Sequence, residues 1–314
     1  MSAPAVSVLV TAYNREKYIA ASLESVLAQQ FTDFEVIVTD NQSTDRTVEV
    51  ARTFEHRDSR VRVVVNDRNL GQFGNRNHAA TLARGTYLKY HDSDDLMYPH
   101  CLSVMVPLLE AEPRAGFALS PGASWPGGPA PMLSTPRQSY QREFLGYGMF
   151  NCGPACALFR REVFAELGGF DDAGVPSDFL FWLRACARTP VLLVPSDLFW
   201  YRVHPGQEFA GERAMREYAL VPGATWAALH SAGCPLEGRE LEQARINQAW
   251  STVKLLRRDL RAGRFSLFAY RLRHAGLTMR DWIRYLRRPS RRMMAGTPVA
   301  ANGEFLVPDW TRKA

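Results

Sequence analysis

Apolar and polar positions follow two different periods along the first 120 residues. Short runs rich in β-branched residues indicate strands that are buried on both faces. Between these runs, apolar residues recur three and four positions apart, as on the buried face of a helix. Such alternation predicts an α/β fold with right-handed crossovers and a mostly parallel sheet flanked by helices. The predicted strands are VSVLVTA (6–12), FEVIVTD (34–40), VRVVV (61–65) and TYLKYHD (86–92).

The boundaries of the intervening helices follow from polar residues and glycine. After the second strand we expect Ser43 or Thr44 to cap a helix, with Asp45 in its first turn. The helix NRNHAATLARG is predicted to end at Gly85. A further helix follows the fourth strand, and its apolar face carries Leu102, Val106 and Leu109.

A segment rich in proline and glycine separates two parts of the chain. PGASWPGGPAPMLSTP (121–136) holds five prolines and three glycines, which predicts an irregular loop. Beyond it, ACALFRREVFAELGGFDD predicts a strand and a helix, Ser177 is expected to cap a helix over 176–188, and VLLVP predicts another strand. From Gly211 to about Arg292 the pattern is helical, and we expect the last twenty residues to be loosely ordered. The predicted divisions are 1–120, 121–210 and 211–314.

The formal charge of +6 is distributed unevenly along the 314 residues. From Ser251 to Ala314 there are 15 Lys plus Arg against 4 Asp plus Glu, whereas the preceding residues carry 23 against 28. A mildly acidic body therefore precedes a strongly basic C-terminal part. This asymmetry predicts an anionic partner for the basic part, either membrane headgroups or nucleic acid.

Several classes of protein are disfavoured by composition. No run of about 18 apolar residues suggests a membrane span. The segment MSAPAVSVLVTAYNREKYI lacks a basic lead and is expected to hold a buried strand rather than a signal peptide. The five cysteines are irregularly spaced, so we expect free thiols in a reducing cytoplasm rather than a zinc site or disulfides.

The acidic turn YHDSDDLMYP (90–99) places Asp92, Asp94 and Asp95 within four positions after the fourth strand. In parallel sheets, ligands bind beyond the carboxyl ends of the strands, so this turn should face a cleft. A hard cation such as Mg²⁺ or Mn²⁺ takes carboxylate oxygens and completes its shell with substrate phosphates. The turn therefore predicts a divalent metal site. The alternative is that one aspartate caps the following helix while water solvates the others.

Other polar residues are expected at the same edge of the sheet. Residues 11–14 follow the first strand, and Asp40 with Asn41 end the second. A carboxylate or amide at this position can bond to a nucleobase or ribose, although an ordinary turn uses the same residues. Arg76, just before the fourth strand, could neutralise phosphate charge or be solvated on its helix.

Taken together, these stretches resemble the family 2 glycosyltransferases of the GT-A fold. VSVLVTAYNREKYIAASLESVLAQQFTDFEVIVTDNQSTDRT is similar to that family's opening block, and NRNHAATLARGTYLKYHDSDDLMYP to the segment that ends in its D-x-D metal motif. ALFRREVFAELGGFDDAGVPSDFLFWLRA is similar to its acceptor-side block, and WYRVH to the motif that closes its catalytic core. The likeness covers residues 5 to about 205, with the blocks in order.

The resemblance implies an inverting enzyme in the cytoplasm. It would move a sugar from a nucleotide diphosphate donor, UDP-linked by default, to a hydroxyl of a glycan or lipid-linked saccharide of the cell envelope. Residues 1–120 would form the nucleotide-sugar-binding half, 121–210 the acceptor-binding half of the same catalytic domain, and 211–314 a basic helical extension. The implied nucleotide-sugar contacts are Thr11, Ala12, Tyr13, Asn14, Asp40, Asn41, Arg76, Asp92 and Ser93. The implied ligands of Mn²⁺ or Mg²⁺ are Asp92, Asp94, Asp95 and His204, although His204 could also be an ordinary strand-end histidine.

Asp178 is the general base that the resemblance implies. The family often has Glu-Asp where this chain has Ser177-Asp178, so the carboxylate is kept while the acceptor contact of the glutamate is in doubt. Inversion by direct displacement needs a base that takes the proton of the acceptor hydroxyl. Because Asp178 lies at a helix start, we expect the helix dipole to lower its pKa, and bound phosphates to raise it again. The alternative is that Asp178 only caps the helix.

Two other functions stay open on the sequence. A nucleotidyltransferase that makes activated sugars also needs a parallel sheet and acidic metal ligands, but TAYNREKY lacks the glycine-rich phosphate loop usual after the first strand. A non-catalytic nucleotide-sugar-binding module would keep the fold, although Asp92, Asp94 and Asp178 argue against it.

The basic segment GLTMRDWIRYLRRPSRR (276–292) predicts an amphipathic helix. Arginines flank its apolar stripe, so it could lie in a membrane interface and hold the protein at the inner face of the plasma membrane. The alternative is that the stripe packs on the catalytic body. Nucleic-acid binding is not expected, because no basic platform interleaved with aromatic residues is present. The stripe consists of Met279, Trp282, Ile283 and Leu286.

Overall fold

The computed structural model describes residues 3–120, 130–146, 148–204, 211–287 and 304–305. Nine strands of this part form one sheet, and two short strands pair separately. The strands are β1 Val6–Ala12, β2 Phe34–Asp40, β3 Val61–Val65, β4 Tyr87–Asp92, β5 Leu96–Met97, β6 Phe117–Leu119, β7 Met132–Ser134, β8 Ala157–Arg160, β9 Val191–Leu193, β10 Phe199–Trp200 and β11 Glu304–Phe305.

Helices surround the sheet and continue beyond it as a C-terminal group. A 3-10 turn at Pro154–Cys156 precedes β8. The helices are α1 Ile19–Leu27, α2 Thr47–Arg57, α3 Gln72–Thr81, α4 Cys101–Glu110, α5 Pro136–Phe144, α6 Arg161–Glu166, α7 Ser177–Arg188, α8 Glu212–Tyr218, α9 Val221–Ala228, α10 Gly238–Arg261, α11 Phe265–His274 and α12 Met279–Leu286.

The large sheet has the order β11-β7-β9-β6-β8-β4-β1-β2-β3. Its β4-β1-β2-β3 part is parallel, while β8 joins β4 in the antiparallel sense. Alternate residues of the central strands enter two apolar clusters: Leu9 and Ile37 lie in one, and Val8 and Val36 in the other. Because helices cover both faces, these strands need side chains that are apolar in both directions. The predicted α/β class and parallel sheet are therefore confirmed.

The register of the parallel strands brings the polar residues to one edge. Thr11 of β1 is paired with Asp92 of β4 and with Thr39 of β2. Ala12 is paired with Asp40, the last residue of β2. The loops that follow these three strands therefore leave the sheet side by side, as the alternating pattern predicted.

The predicted start of α2 was wrong. The helix begins at Thr47, and no side chain caps it. Ser43 and Thr44 lie in the preceding loop, where the Ser43 amide donates to Asp40 at the end of β2 and the Thr44 amide donates to Asn14 in the loop after β1. Asp45 also precedes the helix and accepts a hydrogen bond from the Thr47 amide at 2.9 Å. Cross-loop hydrogen bonds, which depend on tertiary contacts, took these residues away from the local capping role.

Gly85 serves close packing rather than the end of a helix. The helix α3 already ends at Thr81, so the predicted stop at Gly85 was also wrong. A Cβ atom on Gly85 would lie 2.5 Å from the backbone nitrogen of Ser7 on β1. Glycine is required here because the chain entering β4 passes directly against its neighbouring strand.

The proline-rich segment 121–136 contains more order than we predicted. Within it, residues 121–129 lie outside the described part, but Met132–Ser134 form β7. Thr135 then caps α5 in a capping box with Gln138. Strand β7 pairs with β9, so part of the predicted loop belongs to the sheet.

The C-terminal helices pack on helix α5 of the α/β part. Arg137 of α5 pairs with Glu240 of α10 at 3.0 Å, and the Asn247 amide donates to the Phe144 carbonyl at 2.9 Å. Within the C-terminal group, the buried Asp259 of α10 and Arg271 of α11 form an ion pair at 2.8 Å. The extension is thus attached to α5 and has its own buried contacts.

The amphipathic helix α12 contacts the rest of the C-terminal group through a residue outside the predicted apolar stripe. Its Tyr285 is buried, with its ring centroid 5.4 Å from that of Trp226 on α9. Met279 and Ile283 instead remain 74% and 50% exposed. None of the described helices combines the length and the apolar composition needed to cross a membrane. The prediction of loose order over the last twenty residues falls outside the described part except at residues 304–305.

Candidate active site

A cavity of about 800 Å³ lies beyond the carboxyl ends of β1, β2 and β4. The loops after these strands line one side of it, and the start of α7 with the 3-10 turn lines another. Of the residues predicted for the site, it brings together Thr11, Ala12, Tyr13, Asn41, Arg76, Asp92, Ser93, Asp94 and Asp178. It does not bring Asn14, Asp40, Asp95 or His204 to the cavity wall.

The two cavity-facing carboxylates of the acidic turn are each paired with an arginine. Asp92 forms an ion pair with the buried Arg76 of α3. Asp94 accepts a hydrogen bond from Arg15 Nε at 2.9 Å, and His204 Nε2 lies 2.9 Å from the same carboxylate oxygen. Protein cations therefore already offset part of the charge of the turn.

Asp95 lies beneath the turn rather than in the cavity. Its side chain is 1% exposed, and its Oδ1 accepts a hydrogen bond from the Arg202 amide at 3.0 Å. Its Oδ2 is buried without a hydrogen-bond partner among the described residues. Burial, together with the nearby Asp92, raises the pKa of Asp95 to about 8. The structure therefore does not place Asp95 where it could bind an ion in the cavity.

The donor set fits a divalent ion only when a substrate supplies further ligands. Among the described residues, no group of three or more His, Cys, Asp or Glu side chains is arranged to hold a metal. Asp92 and Asp94 offer two carboxylates at the cavity wall, which suits a hard ion whose shell is completed by phosphate oxygens. His204 lies behind Asp94, with its ring 4.4 Å from that of Tyr18, and is placed to orient the carboxylate.

The loops after β1 and β2 hold each other in place. Asn14 has a left-handed backbone with φ of 52°, and its Oδ1 accepts a hydrogen bond from the Thr44 amide at 2.8 Å. Asp40 accepts hydrogen bonds from the amide and the hydroxyl of Ser43. Both predicted nucleotide contacts thus fasten these loops, while Tyr13, which is 40% exposed, faces the cavity.

Asn41 both lines the cavity and organises the loop before α3. Its Oδ1 accepts a hydrogen bond from the Leu70 amide at 2.8 Å. Its Nδ2 donates to Asn69 Oδ1 at 2.9 Å and to the Gly71 carbonyl at 3.2 Å. Between Asp40 and Asn41, which the sequence left open, Asn41 is the one at the cavity wall.

Ser93 and Arg76 connect the acidic turn to its surroundings. The Ser93 hydroxyl donates to the Thr11 carbonyl at 2.8 Å, which ties the turn to the end of β1. The guanidinium of Arg76 lies 5.1 Å from the ring centroid of Phe73, and its carbonyl accepts a hydrogen bond from the Tyr90 hydroxyl. Arg76 is therefore a buried, oriented cation at the cavity rather than a solvated one.

Asp178 lies in the first turn of α7 and faces the same cavity. Its Oδ1 accepts a hydrogen bond from the Phe179 amide at 2.6 Å. Burial nevertheless raises the pKa of Asp178 to about 6, against the opposing effects of that amide and of Arg76. The expected lowering by the helix dipole was therefore wrong, because desolvation of the carboxylate is the larger effect.

Ser177 is not the cap of α7. It is the first residue of the helix and is buried, and its hydroxyl donates to the Gly174 carbonyl at 2.7 Å. The same hydroxyl accepts a hydrogen bond from the Ala173 amide at 3.0 Å. Ser177 thus shapes the loop that carries Asp178 into the cavity.

Sequence reasoning missed three residues that contribute to the site. Arg15 bonds to Asp94, and Arg202 donates from Nε to the Asp94 carbonyl at 2.7 Å. Both lie in motifs quoted for the resemblance, so a search for cations near the acidic turn could have found them. Tyr218 of α8 also lines the cavity. No local sequence signal predicts the contact of Tyr218 with the cavity, because Tyr218 belongs to the helical extension.

A family model described as Glycosyl transferase family 2 matches residues 7–168, just over half of the chain. The chain is 35% identical over 224 residues to UDP-Glc:alpha-D-GlcNAc-diphosphoundecaprenol beta-1,3-glucosyltransferase WfaP of Escherichia coli, which covers 66% of this chain and 80% of that protein. It is 36% identical over 110 residues to the putative glycosyltransferase EpsE of Bacillus subtilis. The chain spans about two fifths of the length of EpsE, and 39% of another such relative from Methanocaldococcus jannaschii.

Solved structures share the fold at low sequence identity. TarS 1–349 of S. aureus, in complex with UDP-GlcNAc, has a TM-score of 0.62 at 21% identity over 91% of this chain and 80% of that chain. A mannosyltransferase of Pyrobaculum calidifontis, in complex with GDP-Man and Mn²⁺, has a TM-score of 0.56 at 19% identity over 91% of this chain and 87% of that chain. At these identities the likeness is one of fold.

Proposed function

The chain belongs to glycosyltransferase family 2, and we propose on this premise that it is an inverting glycosyltransferase. It moves a sugar from a nucleotide diphosphate donor to an acceptor hydroxyl. The observation that carries this proposal is the shared cavity, whose walls include Asp92 and Asp94 on one side and the half-buried Asp178 on another. The wall with Asp92 and Asp94 is suited to hold an anionic donor through a divalent ion, and the wall with Asp178 offers a base to the acceptor.

Asp178 acts as the general base. Its carboxylate takes the proton of the acceptor hydroxyl while the hydroxyl oxygen attacks the anomeric carbon from the face opposite the diphosphate. The bond between that carbon and the diphosphate oxygen breaks, and its electron pair leaves with the nucleoside diphosphate. A carboxylate with a pKa of about 6 is ionised at neutral pH and is a stronger base than an ordinary aspartate.

Asp92 and Asp94 would hold Mn²⁺ or Mg²⁺ together with the donor phosphates. His204 and Arg15 support this role because both contact the Asp94 carboxylate and fix its position. When bound, the ion supplies charge neutralisation for the departing diphosphate. The Mn²⁺ in the structurally similar mannosyltransferase is consistent with this assignment. Asp95 is not among the proposed ligands because it is buried beneath the turn.

The donor is a UDP-sugar, and the acceptor is a lipid-linked saccharide of the cell envelope. The name of WfaP specifies a UDP-glucose donor and a diphosphoundecaprenol-linked acceptor, and TarS was solved with UDP-GlcNAc. Residues 1–120 bind the nucleotide sugar, with Thr11, Tyr13 and Asn41 at the cavity wall. Residues 121–210 carry the acceptor side of the site, and 211–314 form the extension.

We place such an enzyme in the cytoplasm, where α12 attaches it to the inner face of the plasma membrane. Met279 and Ile283 are exposed on this helix beside arginines, which suits contact with anionic lipid. We expect flotation with vesicles that contain phosphatidylglycerol, and its loss in Met279→Ser/Ile283→Ser. Val65→Ser, which changes an exposed valine on β3, is the control. Equal flotation of all three proteins would exclude α12 as the anchor.

The enzymatic proposal is tested with UDP-glucose, UDP-GlcNAc and GDP-mannose in the presence of Mn²⁺. We expect one donor to be bound and slowly hydrolysed, with sugar transfer when a lipid-linked acceptor is added. Asp178→Asn should bind the donor normally and abolish transfer. Asp171→Asn is the matched control. Asp171 is a half-exposed aspartate that pairs with Arg184, and Arg184 lies on the same helix α7 as Asp178. Donor binding without any turnover by the unaltered protein would support the non-catalytic alternative instead.

A further inference from the structure

A second cavity of about 270 Å³ lies among α8, α9, α10 and α11. Tyr218 and Val221 line both this cavity and the first one, so the two spaces adjoin. The family model ends at residue 168, and therefore these helices are outside the part of the chain that it matches. The second cavity is a feature of the extension that the catalytic proposal leaves unused.

The walls of the second cavity carry unneutralised positive charge. Arg258, Arg264 and Arg271 line it. Arg271 is neutralised by Asp259, with Nε 2.8 Å from a carboxylate oxygen. Among the described residues, the side chains of Arg258 and Arg264 have no ion pair or hydrogen bond. Both arginines are exposed, and an anion with several oxygens that bridges them would gain charge-assisted hydrogen bonds.

The remaining walls of the second cavity are apolar. Leu255 and Leu267 line it on α10 and α11. Phe265, which follows Arg264 in the chain, is 69% exposed, and Leu260 is 42% exposed. The cavity is smaller than the roughly 300 Å³ at which drug-sized ligand sites begin, so it suits the head of a ligand rather than a whole nucleotide sugar. Basic and apolar walls together fit a small anionic head with an apolar chain.

The second cavity lies on the acceptor side of the candidate active site. Tyr218 lines both cavities and therefore lies between the second cavity and the one that Asp178 faces. Next to it, Glu217 accepts a hydrogen bond from the Val175 amide at 2.7 Å. Helix α8 is thereby joined to the loop that leads into α7. A ligand group in the second cavity would therefore be separated from the cavity of Asp178 by the wall to which Tyr218 and Val221 belong.

We propose that the second cavity binds the diphosphate and the first isoprene units of a polyprenyl-linked acceptor. Arg258 and Arg264 hold the phosphate oxygens, and the leucines contact the start of the lipid chain. The sugar attached to the diphosphate then extends past Tyr218 towards Asp178. The proposal deepens the proposed function and rests on it for the identity of the reacting sugar.

Binding is tested without turnover on the full chain, with UDP in excess to fill the donor site. Farnesyl diphosphate, inorganic pyrophosphate and farnesol are titrated by calorimetry. We expect farnesyl diphosphate to bind at least tenfold more tightly than the other two, and Arg258→Ala/Arg264→Ala to weaken it at least tenfold. Arg257→Ala/Arg261→Ala, which removes two exposed arginines of α10 outside the cavity, should have no effect.

Three results would overturn the proposal. Equal affinity for pyrophosphate and farnesyl diphosphate would mean an anion site without a lipid subsite. Equal weakening in the two double variants would mean that binding follows general surface charge. If Arg258→Ala/Arg264→Ala lost flotation with phosphatidylglycerol vesicles but kept farnesyl diphosphate affinity, these arginines would serve membrane headgroups instead.

Kinetics separate this inference from the proposed function. For a diphosphate-linked acceptor, Arg258→Ala/Arg264→Ala should raise the acceptor KM at least tenfold. For an alkyl glycoside of the same sugar without phosphate, the KM should not change, and a rise of the same size for both acceptors would contradict the assignment. If the unaltered protein processes no nucleotide sugar, the proposed function fails, but the calorimetric result still decides whether the cavity binds polyprenyl diphosphate.

Discussion

Replacing Asp178 with asparagine distinguishes a desolvated, half-buried catalytic base from a helix cap through the sign of a stability change. Asparagine keeps the size of the side chain and an oxygen that can accept the hydrogen bond from the Phe179 amide. If Asp178 only capped α7, its loss of charge at a helix start would cost up to about 1 kcal/mol. If desolvation dominates, removing the charge should instead stabilise the protein.

The expected magnitude follows from the pKa of Asp178, which rises from its ordinary value of 3.8 to about 6. Between these values the folded state binds its proton more tightly than the unfolded state does, so the free energy of unfolding falls as the pH rises. One pKa unit corresponds to about 1.4 kcal/mol, and the ionised carboxylate therefore costs up to about 3 kcal/mol above pH 6. The cost vanishes below about pH 4. Asp178→Asn should therefore raise the melting temperature by roughly 6 °C at pH 7.5.

The assay compares urea unfolding of both proteins at pH 7.5 and pH 4, alongside sugar transfer at pH 7.5. We expect Asp178→Asn to be the more stable protein at pH 7.5, to lose that advantage at pH 4, and to be inactive in transfer. Asp281→Asn is the matched control, because Asp281 also lies in the first turn of a helix but has a pKa lowered by its bonds to Thr278. It should destabilise the protein by about 1 kcal/mol. A destabilised, active Asp178→Asn would refute the reasoning.

Three further predictions concern the metal, the pH profile and the extension. Asp94→Ala should weaken donor affinity far more with Mn²⁺ than with EDTA, measured by calorimetry; an equal loss would count against a bridging ion. The value of kcat/KM should fall about tenfold per pH unit below pH 6, because protonated Asp178 cannot accept the acceptor proton; a flat profile down to pH 5 would exclude it as the base. Arg271→Met should destabilise the protein by about 3–5 kcal/mol in urea unfolding, because it leaves Asp259 buried and unpaired. Asp259→Asn/Arg271→Met should recover part of that loss, and no recovery would contradict the ion-pair explanation.

The central sheet was predictable because its signal is local. β1, β2 and β3 have the predicted bounds, and β4 begins only one residue later than predicted. Strands covered on both faces must be continuously apolar, so their positions can be predicted directly from the sequence. The parallel register then followed from the alternation of strands and helices. Segment ends were harder, as the unpredicted β7 within the proline-rich loop shows.

The sequence was sufficient to predict most residues of the candidate site but not the role of each one. Rules for parallel sheets and the family resemblance led to Asp92, Asp94 and Asp178, and all three line one cavity. They could not separate Asp95, three residues after the end of β4, from its neighbours, because its burial beneath the turn depends on Arg202, more than 100 residues later. Tyr218 was missed for the same reason, since its helix has no local sign of contact with the cavity.

By itself, the sequence determined the four parallel strands of the central sheet, which edge of the sheet is polar and which family the chain resembles. These properties depend on side-chain patterns within a few residues. Only the tertiary structure decided which carboxylates face the cavity, which arginines offset them, and that burial outweighs the helix dipole at Asp178. Desolvation and ion pairing depend on how closely distant segments pack, and the strength of that packing is set by the whole fold.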